Sequence, residues 1–260
     1  MSPVRTGRTI YLHGVPGTPA ELTLAGHAGW EPGPHLFAPD RNLLAAAGSD
    51  DLADAIARWA GGEPVRLVGF SLGAAAALRV AARLGGTIAK IDLIAPAAPL
   101  SLGDFLGLMA GGALFRLARD HPRGFAAVCS LQGALARIAP RLLARMTLAG
   151  CQGGDKPLAA DPAFQKLLGQ MLAGSLSKGA TSYKSEIAAY VANWEDCLSS
   201  VTQSVEIWQG DLDNWVVPEM ASALAGRLSG LRELHMLPGL SHYSALAWYL
   251  ARFSSGGSPP

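Results

Sequence analysis

The sequence is short of charge. Asp, Glu, Lys and Arg make up 16% of its 260 residues, and 21 basic against 20 acidic side chains leave a formal net charge of +1. Nucleic-acid-binding domains usually carry a basic excess, so no nucleic-acid partner is expected. Cysteine is scarce as well. Cys129, Cys151 and Cys197 are odd in number, far apart and form no C-x-x-C pair. That pattern predicts neither a disulfide framework nor a zinc site, and it fits a reducing compartment. No run reaches the roughly 18 apolar residues of a membrane helix. The start, Met1 to Arg8, lacks the apolar segment of a secretory leader. A cytoplasmic protein without an integral membrane segment is the expectation. The longest uncharged apolar stretch, Phe105 to Phe115, is interrupted by Gly107, Gly111 and Gly112 and reads as a buried or groove-lining helix. Disorder and low complexity are excluded too. Half of the residues are hydrophobic, and the 31 glycines and 17 prolines show no repeat. A chain of this length can bury one large core or two smaller ones.

Up to about residue 100, short apolar strands alternate with helical patterns. Strands are predicted at 8–12, 35–38, 65–70 and 91–95, and helices at 50–60 and 72–84. Such alternation implies right-handed crossovers and a parallel sheet covered on both faces. Between about 100 and 203 the strand signals vanish. Pro162 opens one helix that carries Phe164, Leu167, Leu168, Met171 and Leu172 on one face, and Ile187, Tyr190, Val191 and Trp194 mark another. Alternation resumes with strands at 205–208 and 232–237 and helices at 218–228 and 244–253. One α/β domain is therefore interrupted by roughly 100 helical residues.

Gly69-Phe70-Ser71-Leu72-Gly73 is a G-x-S-x-G between a predicted strand and an Ala-rich helix. A serine at that junction sits on a tight turn with its hydroxyl above the sheet, and the flanking glycines let the neighbouring backbone come close. The start of the following helix adds a positive dipole end where an oxyanion would form.

With this elbow the sequence resembles the α/β-hydrolase superfamily, over the sheet-forming segments from about 8 to 99 and 204 to 253. The resemblance implies an α/β-hydrolase fold: a mostly parallel sheet with helices on both faces and an inserted helical cap. Residues 1–99 and 204–260 would form the core and 100–203 the cap. It also implies a triad in the chain order nucleophile, acid, histidine. Ser71 is the matching nucleophile. The family places its acid three residues after a glycine, and Gly210 plus three gives Asp213. The run from there to Val217-Pro218 is one residue longer than is common, so Asp211 stays a rival. Leu237-Pro238-Gly239-Leu240-Ser241-His242-Tyr243 resembles the loop bearing the catalytic histidine, which makes His242 the base. His235 lies inside a strand and reads as structural. His13-Gly14-Val15-Pro16-Gly17 resembles the oxyanion loop, with backbone N–H groups of Val15 and Leu72 as the expected donors and His13 as a brace.

Serine at the elbow implies acyl-enzyme chemistry on an ester, thioester or related acyl bond of a small-molecule substrate, as in carboxylesterases, thioesterases and lipases. No metal or organic cofactor is implied. Phe105, Leu106, Met109, Phe115 and Met171 of the insertion are candidate lining residues for an apolar acyl group. Two departures from the family bear on the sheet. About seven residues precede the first strand, too few for the usual antiparallel hairpin, and 39–48 lacks a Pro-Gly-x-Gly. The alternatives are carbon–carbon cleavage, lyase or acyltransferase chemistry on the same site, or a non-catalytic ligand-binding protein.

Overall fold

The structure is a computed structural model that describes residues 7–26, 30–44, 49–176 and 180–253. Most of the chain start, on which the expectation about a secretory leader rests, lies outside these residues. Among the described residues six strands form one sheet: β1 (Thr9–Leu12), β2 (Leu36–Phe37), β3 (Val65–Phe70), β4 (Ile88–Ile94), β5 (Ser204–Gly210) and β6 (Leu231–Leu237). Their order is β2-β1-β3-β4-β5-β6, and every pairing is parallel. Among the described residues no hairpin strand precedes β1. Every residue of β1 and β3 is buried. Unbroken apolar runs such as VRLVGF are what a parallel strand covered on both faces requires. At the edge, β6 reads LRELHML, and only its last residue is buried.

The helices are α1 (Arg41–Leu44), α2 (Ser49–Ala60), α3 (Leu72–Leu84), α4 (Gly112–Asp120), α5 (Pro122–Ile138), α6 (Pro140–Leu148), α7 (Asp155–Ala160), α8 (Pro162–Leu176), α9 (Thr181–Val191), α10 (Pro218–Ala225) and α11 (His242–Arg252). Among the described residues four short 3-10 segments lie in the other connections, one of them Pro19–Ala25 between β1 and β2. Helix α3 packs on β1, β3 and β4, while α11 packs on β4 and β5. Helices α4 to α9 all lie between β4 and β5 in the chain and pack chiefly on one another, with α8 at the hub of α5, α6, α7 and α9. Prolines at the first helical position open α5, α6 and α8, where a missing N–H costs nothing.

The uncharged stretch 105–115 departs from its expected helix. Phe105 to Gly111 runs through turns, and helix begins only at Gly112. The turn is fixed from outside, because Ala110 N donates to Asn214 O at 2.7 Å. Gly112 also packs so tightly that a Cβ there would stand 1.9 Å from Leu106 O. Among the described residues no helix is long and apolar enough to cross a membrane.

The strand register stacks the carboxyl ends together: Leu12 opposite Gly69, Phe70 opposite Ile94, and Gly210 opposite Leu237. The chain runs outward from β1 to β2 and returns to β3 on the other side. This reversal leaves a crevice beyond the carboxyl ends of β1 and β3, where open α/β sheets bind ligands.

Candidate active site

Ser71 sits between β3 and α3 with φ 57° and ψ −125°, left-handed backbone that a non-glycine residue adopts at a cost of about 1–3 kcal/mol. Its surroundings hold that conformation. Ser71 N donates to Ile94 O at 2.9 Å, and Ser71 O accepts from Ala74 N at 3.0 Å and Ala97 N at 3.3 Å. The two elbow glycines are sterically required. A Cβ on Gly69 would lie 2.7 Å from Ala74 Cα, and one on Gly73 would lie 2.1 Å from Leu12 O.

Asp213 follows β5 and is buried, and His242 opens α11 after β6. His242 Nδ1 meets Asp213 Oδ2 at 2.8 Å. The other carboxylate oxygen accepts from Trp215 N at 2.8 Å and Val216 N at 3.0 Å, so the acid's own turn orients it. Asp211 is exposed and accepts from Gly239 N at 2.7 Å, a turn contact away from the imidazole. Burial alone would lower the pKa of His242. The charge and hydrogen bond of Asp213, with the charges of Asp155 and Glu21, overcome it and hold the imidazole above its ordinary value. His235 stacks on Trp208 within the sheet, with ring centroids 3.7 Å apart, and does not line the cavity that His242 borders.

His13 braces the loop after β1. Its Nδ1 donates to Gly14 O at 2.7 Å and its Nε2 accepts from Arg41 N at 3.0 Å. A side chain that no local sequence signal marks supports the same loop. Glu21 is buried, and its Oε1 accepts from Gly14 N at 2.9 Å and from the Tyr11 hydroxyl at 2.5 Å. Burial raises the pKa of this carboxyl despite those bonds and the nearby His13.

Ser71, His242, Val15 and Leu72 all border one cavity of about 680 Å3, counting the space at its mouth. Among the described residues the Ser71 hydroxyl makes no hydrogen bond to His242, and the amides of Val15 and Leu72 donate to no protein acceptor. The inserted helices supply much of the wall, including Leu114, Phe115, Leu172 and Ile187, with Thr147 and Tyr183 as its polar members. No Asp, Glu, Lys or Arg lines it among the described residues.

Two of the five lining residues expected from sequence, Met109 and Phe115, stand on this wall, whereas Phe105, Leu106 and Met171 do not. Adjacent helical positions point about 100° apart, so Leu172 faces the cavity while Met171 is wholly buried in packing. Phe105 and Leu106 belong to the turn that replaces the expected helix. Trp215, between the acid and Val217, also lines the cavity, and nothing in its spacing marks it beforehand.

Burial raises the pKa of all three thiols, that of Cys129 to about 11, so none has the depressed pKa of an activated nucleophile. No group of three or more His, Cys, Asp or Glu side chains is arranged to hold a metal ion among the described residues.

The model of the alpha/beta hydrolase family matches residues 14–251. No curated protein matches the sequence. Solved structures do resemble the fold. A bromoperoxidase from Bacillus anthracis is 18% identical with a TM-score of 0.66, over 94% of this chain and 88% of that one. An esterase from Exiguobacterium antarcticum is 17% identical with a TM-score of 0.59, over 95% and 93%. A serine hydrolase from the polyaromatic-hydrocarbon-degrading Cycloclasticus zankles is 18% identical with a TM-score of 0.57, over 96% and 88%. At these identities the likeness shows the fold.

Proposed function

The chain belongs to the alpha/beta hydrolase family, and from that premise we propose that it is a serine hydrolase that cleaves an ester, thioester or related acyl bond through an acyl-enzyme on Ser71. The observation that carries the reading is the 2.8 Å contact between His242 and Asp213, with His242 and Ser71 bordering the same cavity.

In this reading Asp213 accepts from the Nδ1–H of His242, which leaves Nε2 free as the base. Nε2 takes the Ser71 proton as Oγ attacks the substrate carbonyl. The oxygen of that carbonyl becomes an oxyanion, and the Val15 and Leu72 amides donate to it from backbone that the β1 loop and the elbow have already fixed. Imidazolium then protonates the leaving alkoxide or thiolate as the carbonyl–leaving-group bond breaks. Water, deprotonated by the same nitrogen, attacks the acyl-enzyme, and Ser71 recovers its proton as the acid is released.

The cavity wall supports an uncharged, largely apolar acyl group, since among the described residues no Asp, Glu, Lys or Arg lines it to pair with a charged one. We assign the helices from 100 to 203 the part of a cap over the mouth of the site, because several of them supply that wall. A fluorophosphonate probe tests the reading directly. It should label the wild type and leave Ser71→Ala unlabelled, and equal labelling of the two would exclude Ser71 as the nucleophile.

A further inference from the structure

The inserted helices reach the histidine loop through one buried carboxylate. Asp155, the first residue of α7, has no solvent exposure. Its Oδ1 accepts from Ser244 N at 2.7 Å and its Oδ2 from Tyr243 N at 3.1 Å. Those amides belong to the first turn of α11, the helix that His242 opens. The first amides of a helix have no acceptor within it, and a neighbouring side chain normally caps them. Here Ser244 Oγ accepts locally from Ser241 N at 2.7 Å, and the acceptor for the Tyr243 and Ser244 amides comes from 88 and 89 residues away.

The surrounding backbone is fitted to this contact. Gly154 N donates to Gly239 O at 2.9 Å. A Cβ on Gly154 would stand 2.8 Å from Ser244 Cβ, and one on Gly153 would stand 2.6 Å from Gly239 O. The acid turn is tied to the same part of the insertion, because Asn214 Nδ2 donates to Gly150 O at 2.8 Å.

We propose that Asp155 is a positioning residue for His242, a carboxylate of the inserted helices that fixes the first turn of α11 and so sets the place and the protonation of the base. The proposal rests on the reading of His242 as that base. It makes the insertion part of the catalytic geometry as well as the wall of the cavity. The charged groups that face His242 are Asp213 from the turn after β5, Asp155 from α7 and Glu21 from the 3-10 segment, all acting against the effect of burial. Asp155 has its own carboxyl pKa raised by burial, opposed by its hydrogen bonds to Ser244 and Tyr243 and by His242.

The test is an NMR titration of the His242 imidazole in the wild type and in Asp155→Asn, which keeps the shape and one acceptor oxygen. The His242 titration should move to lower pH in the variant, and amide exchange at Tyr243 and Ser244 should quicken at least about tenfold. With an ester substrate, kcat should fall about tenfold while KM stays within about twofold, as expected of a misplaced base and an unaltered pocket. A His242 titration that superimposes on the wild type overturns the proposal. If the variant does not fold, the wild type decides. The Tyr243 and Ser244 amide shifts should follow the Asp155 carboxyl titration, and flat shifts overturn the proposal equally. Absence of Ser71 labelling in the wild type would instead sink the hydrolase reading, and the NMR measurements would still decide the role of Asp155.

Discussion

Gly73 stands against the carbonyl of Leu12. A Cβ on it would come within 2.1 Å of Leu12 O and 2.5 Å of His13 O, backbone atoms that β1 and its loop hold in place. The elbow helix and the end of β1 can approach this closely only because position 73 has no side chain. Gly73→Ala should therefore destabilise the protein by about 3 kcal/mol or more, since neither element can yield without moving the sheet. Gly86→Ala is the control, because nothing lies within 4 Å of its added Cβ. It should stay within about 0.5 kcal/mol of the wild type in urea unfolding.

The charge balance around His242 sets the direction of the pH profile. Burial disfavours the imidazolium, but Asp213, Asp155 and Glu21 outweigh it, and the pKa stands above the ordinary 6.5. In the proposed reading His242 takes the Ser71 proton, which a protonated imidazole cannot do. Hydrolysis should thus rise with pH along an acid limb centred above 6.5. Asp213→Asn should move that limb down and lower kcat by up to about 10⁴-fold, because Asn favours the wrong tautomer. Stability runs the other way. The raised folded value means the fold binds this proton more tightly, so the stabilisation is full below the unfolded pKa and is lost as pH rises through the folded one. A pH series of urea midpoints for wild type and His242→Gln separates this contribution from the rest.

The cavity wall predicts which substitutions change substrate choice and which change only stability. Ile187 lines the cavity, whereas Met171 is fully buried away from it. Ile187→Phe should shorten the longest p-nitrophenyl ester turned over and cost about tenfold in kcat/KM on the longer ones. Met171→Ala should leave the chain-length preference as it is and lose about 2–5 kcal/mol of stability. A matching change of preference in both variants would contradict the placement of the wall.

Much of this architecture is legible from local pattern. Strands β1, β3 and β5 are short apolar runs with turn residues behind them, and the elbow announces itself through two glycines at a fixed spacing around Ser71. Counting three from Gly210 leads to the aspartate that contacts His242. Strand β4 begins earlier than the pattern suggests because Lys90 lies within it, half exposed and paired with Glu206 at 2.9 Å on the neighbouring strand. Asp155 and Glu21 carry no signal, since each is an isolated acid whose partners are backbone amides and a tyrosine brought in by the fold. The wall of the cavity is illegible for a related reason. Which of two adjacent apolar residues faces a ligand depends on how α8 and α9 pack, and helix periodicity fixes only the face that is buried.

Beneath the sheet's centre lies an ionic group that the chemistry does not use. Arg66 of β3 donates through Nε to Asp92 of β4 at 2.5 Å, and the Tyr249 hydroxyl of α11 reaches the same carboxylate oxygen at 2.8 Å. Both charged side chains are almost fully buried. Desolvating two ions costs several kcal/mol, and their attraction offsets this only while both are present. Asp92→Leu removes one ion and leaves the guanidinium buried without this carboxylate, so the loss should be about 3–5 kcal/mol. Replacing both, with Arg66→Met and Asp92→Leu, removes the desolvation cost along with the attraction and should lose far less than the single variant. A thermodynamic cycle over the two single variants and the double variant measures this. If the double variant were as unstable as the sum of the singles, the two side chains would not be acting as a pair, and the link they make between β3, β4 and α11 would have to lie in packing alone.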